Sequence, residues 1–124
     1  MTQRFFIFSD EHDAYRQSVR AFVSKELAPH AEEWERAEDF PDDTFRRMGQ
    51  LGLFGNKFEE RYGGTGAGAL FEAVLVEELA RCGSGGVAAG LGAHAQIALP
   101  PIASFGTEEQ KQRWLVPGIK GDQI

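Results

Sequence analysis

The chain has 124 residues and a mass of 13.7 kDa, the size of one compact domain and too short for two independent ones. Hydrophobic residues make up 42% and charged residues 26%, which excludes the composition of disordered chains and predicts a soluble globular domain. Nineteen acidic residues against thirteen basic ones leave a net charge of −6, which repels a phosphate backbone or an anionic membrane surface, so no nucleic-acid partner is expected.

Ser9 is a good N-cap, Asp10 and Glu11 suit the positive end of a helix, and Tyr15, Val19, Phe22, Val23 and Leu27 recur with helical spacing. A first helix is predicted from Asp10 to Ala28. Pro29 should kink or end it, with a polar continuation through His30–Glu35 anchored by Trp34. A short second helix opens at Pro41, carries Phe45 and Met48 on one face and stops at Gly52. The segment from Leu53 to Phe58 has no helical period, and Tyr62 to Gly68 has the composition of a loop.

The pattern returns from Ala69 to Cys82, with Glu77 and Arg81 spaced for an i,i+4 pair and Gly83 as the stop. Val87 to Phe105 predicts a fourth helix, bent near Pro100-Pro101 and closed by Gly106. Thr107 and Gln110 form a capping box for a last helix that starts at Glu108, carries Trp114 and Leu115, and should end before Pro117. No segment alternates as a strand and no repeat is visible, so the fold class is all-α, an up-and-down helical bundle forming one domain over residues 1–124.

Cys82 is the only cysteine, so no intramolecular disulfide is possible and a cytoplasmic location is expected. The apolar run Phe5–Phe8 is too short for a signal peptide core, and Gly83–Thr107, though free of formal charge, is diluted by Gly and Ala and broken by His94, Gln96 and the proline pair. No membrane span is expected. Gly64–Ala69 and Gly90–Ala95 both satisfy a G-x-G-x-x-A pattern, but neither has the preceding strand of a dinucleotide fingerprint.

His12, His30 and His94 fall on separate elements and no Glu-x-x-His pair exists, so no metal site is expected. His12 and His30 read as solvated, Cys82 as a small buried hydrophobe, and Glu32–Arg36 as a solvated face. No Ser-His-Asp set or paired-carboxylate site is recognisable, so no catalytic residue is assigned. At helical spacing, Gly90, Ala93, His94 and Ile97 share one face whose small residues admit either another backbone or a slender apolar ligand. Helix packing with His94 hydrogen-bonded at its edge is the simpler of these two readings.

Phe40-Pro41, Leu51-Gly52-Leu53, the Glu59–Gly66 turn, Glu77–Arg81, His94, and Phe105–Lys111 through Trp114–Pro117, in this order, resemble the N-terminal helical domain of the acyl-CoA dehydrogenases. The resemblance covers nearly the whole chain. It implies a parent flavoenzyme, with FAD as cofactor, that removes hydrogens from Cα and Cβ of a fatty acyl-CoA thioester. It also implies an electron-transfer acceptor and a homo-oligomer as partners. The middle β-domain, the flavin-contacting residues and the catalytic glutamate of the family match nothing in this chain. No cofactor-binding residue is therefore assigned, and the chain alone is expected to be inactive and to bind no FAD tightly. What transfers is the inner end of the acyl-chain cavity, which maps by position onto Gly90, Ala93, His94 and Ile97. The alternative is a free-standing, non-catalytic interaction module derived from such a domain.

Overall fold

The computed structural model describes residues 3–124 and, among them, contains helices and turns and no strand. Eight helical segments follow one another: α1 (Asp10–Phe22), α2 (Ala31–Ala37), α3 (Asp43–Gln50), α4 (Ala69–Leu79), α5 (Gly85–Gly92), α6 (Leu99–Phe105), α7 (Glu108–Gln110) and α8 (Val116–Ile119). Short 3₁₀ turns at Ala28–His30 and Ala80–Cys82 extend α1 and α4, and a third at Glu60–Tyr62 lies where the sequence predicts no element. The expected fold class is the one observed.

Local chemistry sets most boundaries. Thr107 Oγ1 accepts from the Gln110 amide at 3.2 Å while the Gln110 side chain accepts from the Thr107 amide at 2.8 Å, the reciprocal cap expected from the sequence. Gly83, at φ 85°, ends the α4 extension in the left-handed conformation that costs glycine nothing. Ser84 then caps α5 by accepting from the Val87 amide at 3.1 Å, so this helix begins two residues before the expected Val87. His12, read from sequence as solvated, completes the cap of α1 by accepting from the Ser9 amide at 3.0 Å, with its ring against Phe71.

The prolines depart from expectation in one consistent way. Widened turns closed by i→i+5 bonds occupy Val23–Leu27, Ala93–Ala98 and Lys111–Leu115, and each ends two residues before a proline, at Pro29, Pro100 and Pro117. A proline has no N–H to give and its ring strikes the carbonyl four residues back. Widening the preceding turn moves that carbonyl aside, and the helix continues. Hence the disturbance expected at Pro100-Pro101 takes the form of a wide turn just before the prolines, and the last helix runs on through Pro117 into α8 rather than ending before it.

The main core lies between α1, α3, α4 and α5, where Val19, Met48, Leu75 and Leu91 are fully buried. A second cluster of Phe58, Tyr62, Leu99, Leu115 and Ile119 ties α6 and α8 to the 3₁₀ turn at Glu60. The chain's last turn presses onto α3 so closely that a Cβ on Gly49 would sit 1.9 Å from the Lys120 carbonyl oxygen. α1 lies along α4, and the pair is clamped by Glu78, 1% exposed, which accepts from Arg16 Nη1 at 3.0 Å and from Arg20 Nε and Nη2 at 2.9 and 2.8 Å. These arginines take the acidic partners on α4: Arg16 also reaches Glu77 at 2.6 Å, and Arg81 lies 3.6 Å from Glu78, so the Glu77–Arg81 pair expected from spacing is replaced.

Candidate functional site

The long helical run from Gly85 to Phe105 carries two rows of side chains. Val87, Leu91, Ala95 and Leu99 point into the core, each 3% exposed or less. Ala89, Ala93, Ile97, Pro101 and Phe105 all face outward, with Ile97 71% and Phe105 88% exposed. Both rows step by four residues. In a regular α-helix such a row drifts about 40° around the axis per step. The i→i+5 turn at Ala93–Ala98 takes up the drift, so each row stays on its own side. The outer row is an uncharged apolar stripe the length of the run, small at its N-terminal half and bulky at its C-terminal end.

The four residues singled out by sequence are therefore split between the two sides. Ala93 and Ile97 lie on the outer stripe. His94 is 5% exposed, its ring set edge-on to Phe45 and Phe54 at 5.4 and 4.8 Å, and its Nε2 donates to the Gly118 carbonyl at 2.8 Å. Gly90 is half-buried because Phe40 covers it: a Cβ there would lie 3.0 Å from Phe40 Cζ. The single shared face is divided by two contacts that no helical period contains, Phe40 over Gly90 and the Gly118 carbonyl on His94.

Directly behind the stripe is a buried polar cluster that the sequence reading missed. Glu72 of α4 is 5% exposed and Asn56, in the loop after α3, is 2% exposed. Asn56 Nδ2 donates to Glu72 Oε2 at 3.0 Å and to the Tyr15 hydroxyl at 2.8 Å, and Gln96 Nε2, from the wide turn, donates to Glu72 Oε1. Lys57 Nζ, in turn, donates to Gln96 Oε1 at 2.9 Å. Burial raises the Glu72 carboxyl above the usual carboxylate range, opposed by the Asn56 bond and the Lys57 charge. Burial likewise pushes Tyr15 up to about 12. One signal was available: Glu72 stands at i−3 and i−7 from the core residues Leu75 and Leu79, on the apolar side of α4.

The family model for the acyl-CoA dehydrogenase N-terminal domain matches residues 9–122. The chain belongs to that family. It is 42% identical over 120 residues both to a probable acyl-CoA dehydrogenase, YngJ, of Bacillus subtilis and to a short-chain-specific acyl-CoA dehydrogenase of Clostridium acetobutylicum, covering 96% of this chain and 31% of either relative. Among solved structures it resembles an acyl-CoA dehydrogenase of Geobacillus kaustophilus, with TM-score 0.87 and 38% identity over 98% of this chain and 31% of that one. It also resembles a Bacillus anthracis acyl-CoA dehydrogenase complexed with FAD, with TM-score 0.79 and 34% identity over 93% of this chain and 20% of that one. The chain thus spans about a third of the length of the curated relatives it matches.

The glycine-rich loop of this acyl-CoA dehydrogenase domain is the natural place to test for flavin phosphates, and it does not fit them. The amides of Gly63, Gly64, Thr65, Gly66 and Gly68 already donate to the carbonyls of Glu60, Glu59, Gly55, Phe58 and Asn56 at 2.7–3.1 Å. Phosphate recognition needs such amides free. The neighbouring Tyr62 explains the acidic-Tyr-Gly-Gly sequence in structural terms: its hydroxyl donates to Glu108 at 2.6 Å and its ring lies under Arg61. Among the described residues no group of three or more potential metal ligands converges, and no helix is long and apolar enough to cross a membrane.

Proposed function

We propose that this domain forms one wall of the acyl-chain site of an FAD-dependent acyl-CoA dehydrogenase, an oxidoreductase that desaturates fatty acyl-CoA thioesters. The observation that carries the reading is the outward stripe on the Gly85–Phe105 run. An acyl chain has no polar group beyond its thioester, so its wall must be apolar, uncharged and smooth. Ala93 and Ile97 meet those requirements on the side of the run left uncovered. Each methylene laid against such a wall contributes about 0.8 kcal/mol, roughly fourfold in affinity. Ala93 and Ile97 are the residues assigned to contact the chain. Gly90 sets the depth of the wall through Phe40, and His94 holds it from behind.

Bond breaking and flavin binding belong to parts of the parent enzyme outside these residues. The occupied amides of the Gly63–Gly68 loop support leaving FAD to those parts, and no catalytic step is assigned to this chain. The test is Ala93→Phe in a full-length dehydrogenase carrying this domain, with kcat/KM measured over a series of straight-chain acyl-CoA lengths. Added bulk on the wall shifts preference toward shorter chains. If all lengths lose activity together, Ala93 packs against protein and the acyl-wall reading falls.

A further inference from the structure

A cavity of about 210 Å³ opens between the end of α1, α2 and the start of α3, away from the acyl wall. Phe22 and Leu27, both buried, make its floor, and the Trp34 indole and Pro41 line its sides. The charges at its mouth are already matched: Glu26 accepts a fork of two bonds from Arg47 Nε and Nη2 at 2.9 and 3.0 Å, and Asp43 lies 4.0 Å from Arg46. Thr44 is the exception among the lining groups. It is 8% exposed, and its hydroxyl meets no hydrogen-bond partner among the described residues. No polar side-chain atom sealed from solvent lacks a partner among those residues, so this hydroxyl opens into the cavity.

We propose that this cavity binds an uncharged single-ring compound carrying one hydrogen-bonding group, a phenol in the simplest case, and that the Thr44 hydroxyl recognises that group. The volume exceeds the roughly 150 Å³ that accepts a benzene ring and falls short of the roughly 300 Å³ at which pockets for larger ligands begin. With Glu26 and Asp43 each beside an arginine, no charge at the mouth calls for a charged ligand. A water molecule satisfies the hydroxyl but gains nothing from Phe22, Leu27 and the indole face, whereas a ring with one hydroxyl answers both. None of the lining residues lies on the Gly85–Phe105 run, so this site and the acyl wall stand or fall separately.

The test uses para-fluorophenol and fluorobenzene as probes, added to a full-length, flavin-loaded dehydrogenase carrying this domain and followed by fluorine NMR. Thr44→Val keeps the shape of the side chain and removes its hydroxyl; Thr44→Ser keeps the hydroxyl. Both probes should bind the parent with a Kd no weaker than about 10 mM. The ratio of the fluorobenzene Kd to the para-fluorophenol Kd should fall about fivefold in Thr44→Val, the worth of one net hydrogen bond, and stay at the parent value in Thr44→Ser. The ratio reports on this cavity alone, because a ring bound elsewhere on the enzyme does not sense residue 44. Failure of para-fluorophenol to bind the parent overturns the proposal. So does a ratio that Thr44→Val leaves unchanged, and so does one that Thr44→Ser lowers as far as Thr44→Val. Should Thr44→Val not fold, the same ratio is read on Thr44→Ala, with the same outcomes decisive.

Discussion

Replacing Glu78 by glutamine should destabilise the domain more than any other single-charge change on α4. The side chain is 1% exposed and accepts three charged N–H bonds from Arg16 and Arg20, which join α1 to α4 across 58 and 62 residues of sequence. Hydrogen bonds to charged groups contribute about 1.5–3 kcal/mol each when buried, but Arg20 is 48% exposed and water screens its share. Glutamine keeps one acceptor and turns an amide hydrogen toward a guanidinium. A loss of about 2–3 kcal/mol is expected at pH 7, lowering the melting temperature by roughly 8–12 °C for a domain of this size. The pH dependence has a definite sign. The Arg20 and Arg16 bonds hold the Glu78 carboxyl below the usual carboxylate range, so its stabilisation is present above the unfolded-state value near 4.3 and is lost as pH falls through the folded-state value. Unfolding of parent and Glu78→Gln, followed by helical circular dichroism between pH 7 and pH 3, should therefore give midpoints that converge in acid. A difference below about 0.5 kcal/mol at pH 7, or one that stays constant across that range, refutes the clamp.

Glu72 should behave in the opposite sense: burial raises its folded-state value, so its contribution is fully present below about 4.3 and lost as pH rises through the folded value, and carbon-13 titration should place it above the exposed glutamates. Gly64→Ala should cost about 1–3 kcal/mol or more in urea unfolding, because the new Cβ would lie 2.1 Å from the Phe58 carbonyl oxygen. Gly85→Ala, with open space around it at the start of α5, should instead stabilise by about 0.4–1 kcal/mol, and equal effects from the two would contradict the packing described. Pro117→Ala removes the ring that widens the preceding turn, so amide chemical shifts should change throughout Lys111–Leu115, and a spectrum altered only at residues 116–118 would disconnect proline from the wide turn.

The sequence by itself determined the features written in a few neighbouring residues. The cap at Thr107 and Gln110, the stop at Gly83, the extent of α4 and the absence of strands among the described residues all rest on bonds or periods no longer than a few residues, and they appear as expected. The same holds for the family, which is spelled out in consecutive motifs. The grouping of Ala93 with Ile97 was legible as well, since both are exposed on one apolar side of the run. Tertiary structure decided the rest. Contacts from distant parts of the chain take His94 and Gly90 off that face, the Gly118 carbonyl drawing His94 inward and the Phe40 ring covering Gly90, and Pro100-Pro101 signals a disturbance without saying that the turn before it absorbs it. Glu78 looks like a surface charge on a helix until Arg20 and Arg16, 58 and 62 residues away in sequence, arrive beside it, and Glu72, though its spacing puts it on the apolar side of α4, gains its partners only when Asn56 and Gln96 close on it. A carboxylate's burial is fixed by which donors the fold brings to it, and that is a long-range property no local pattern contains.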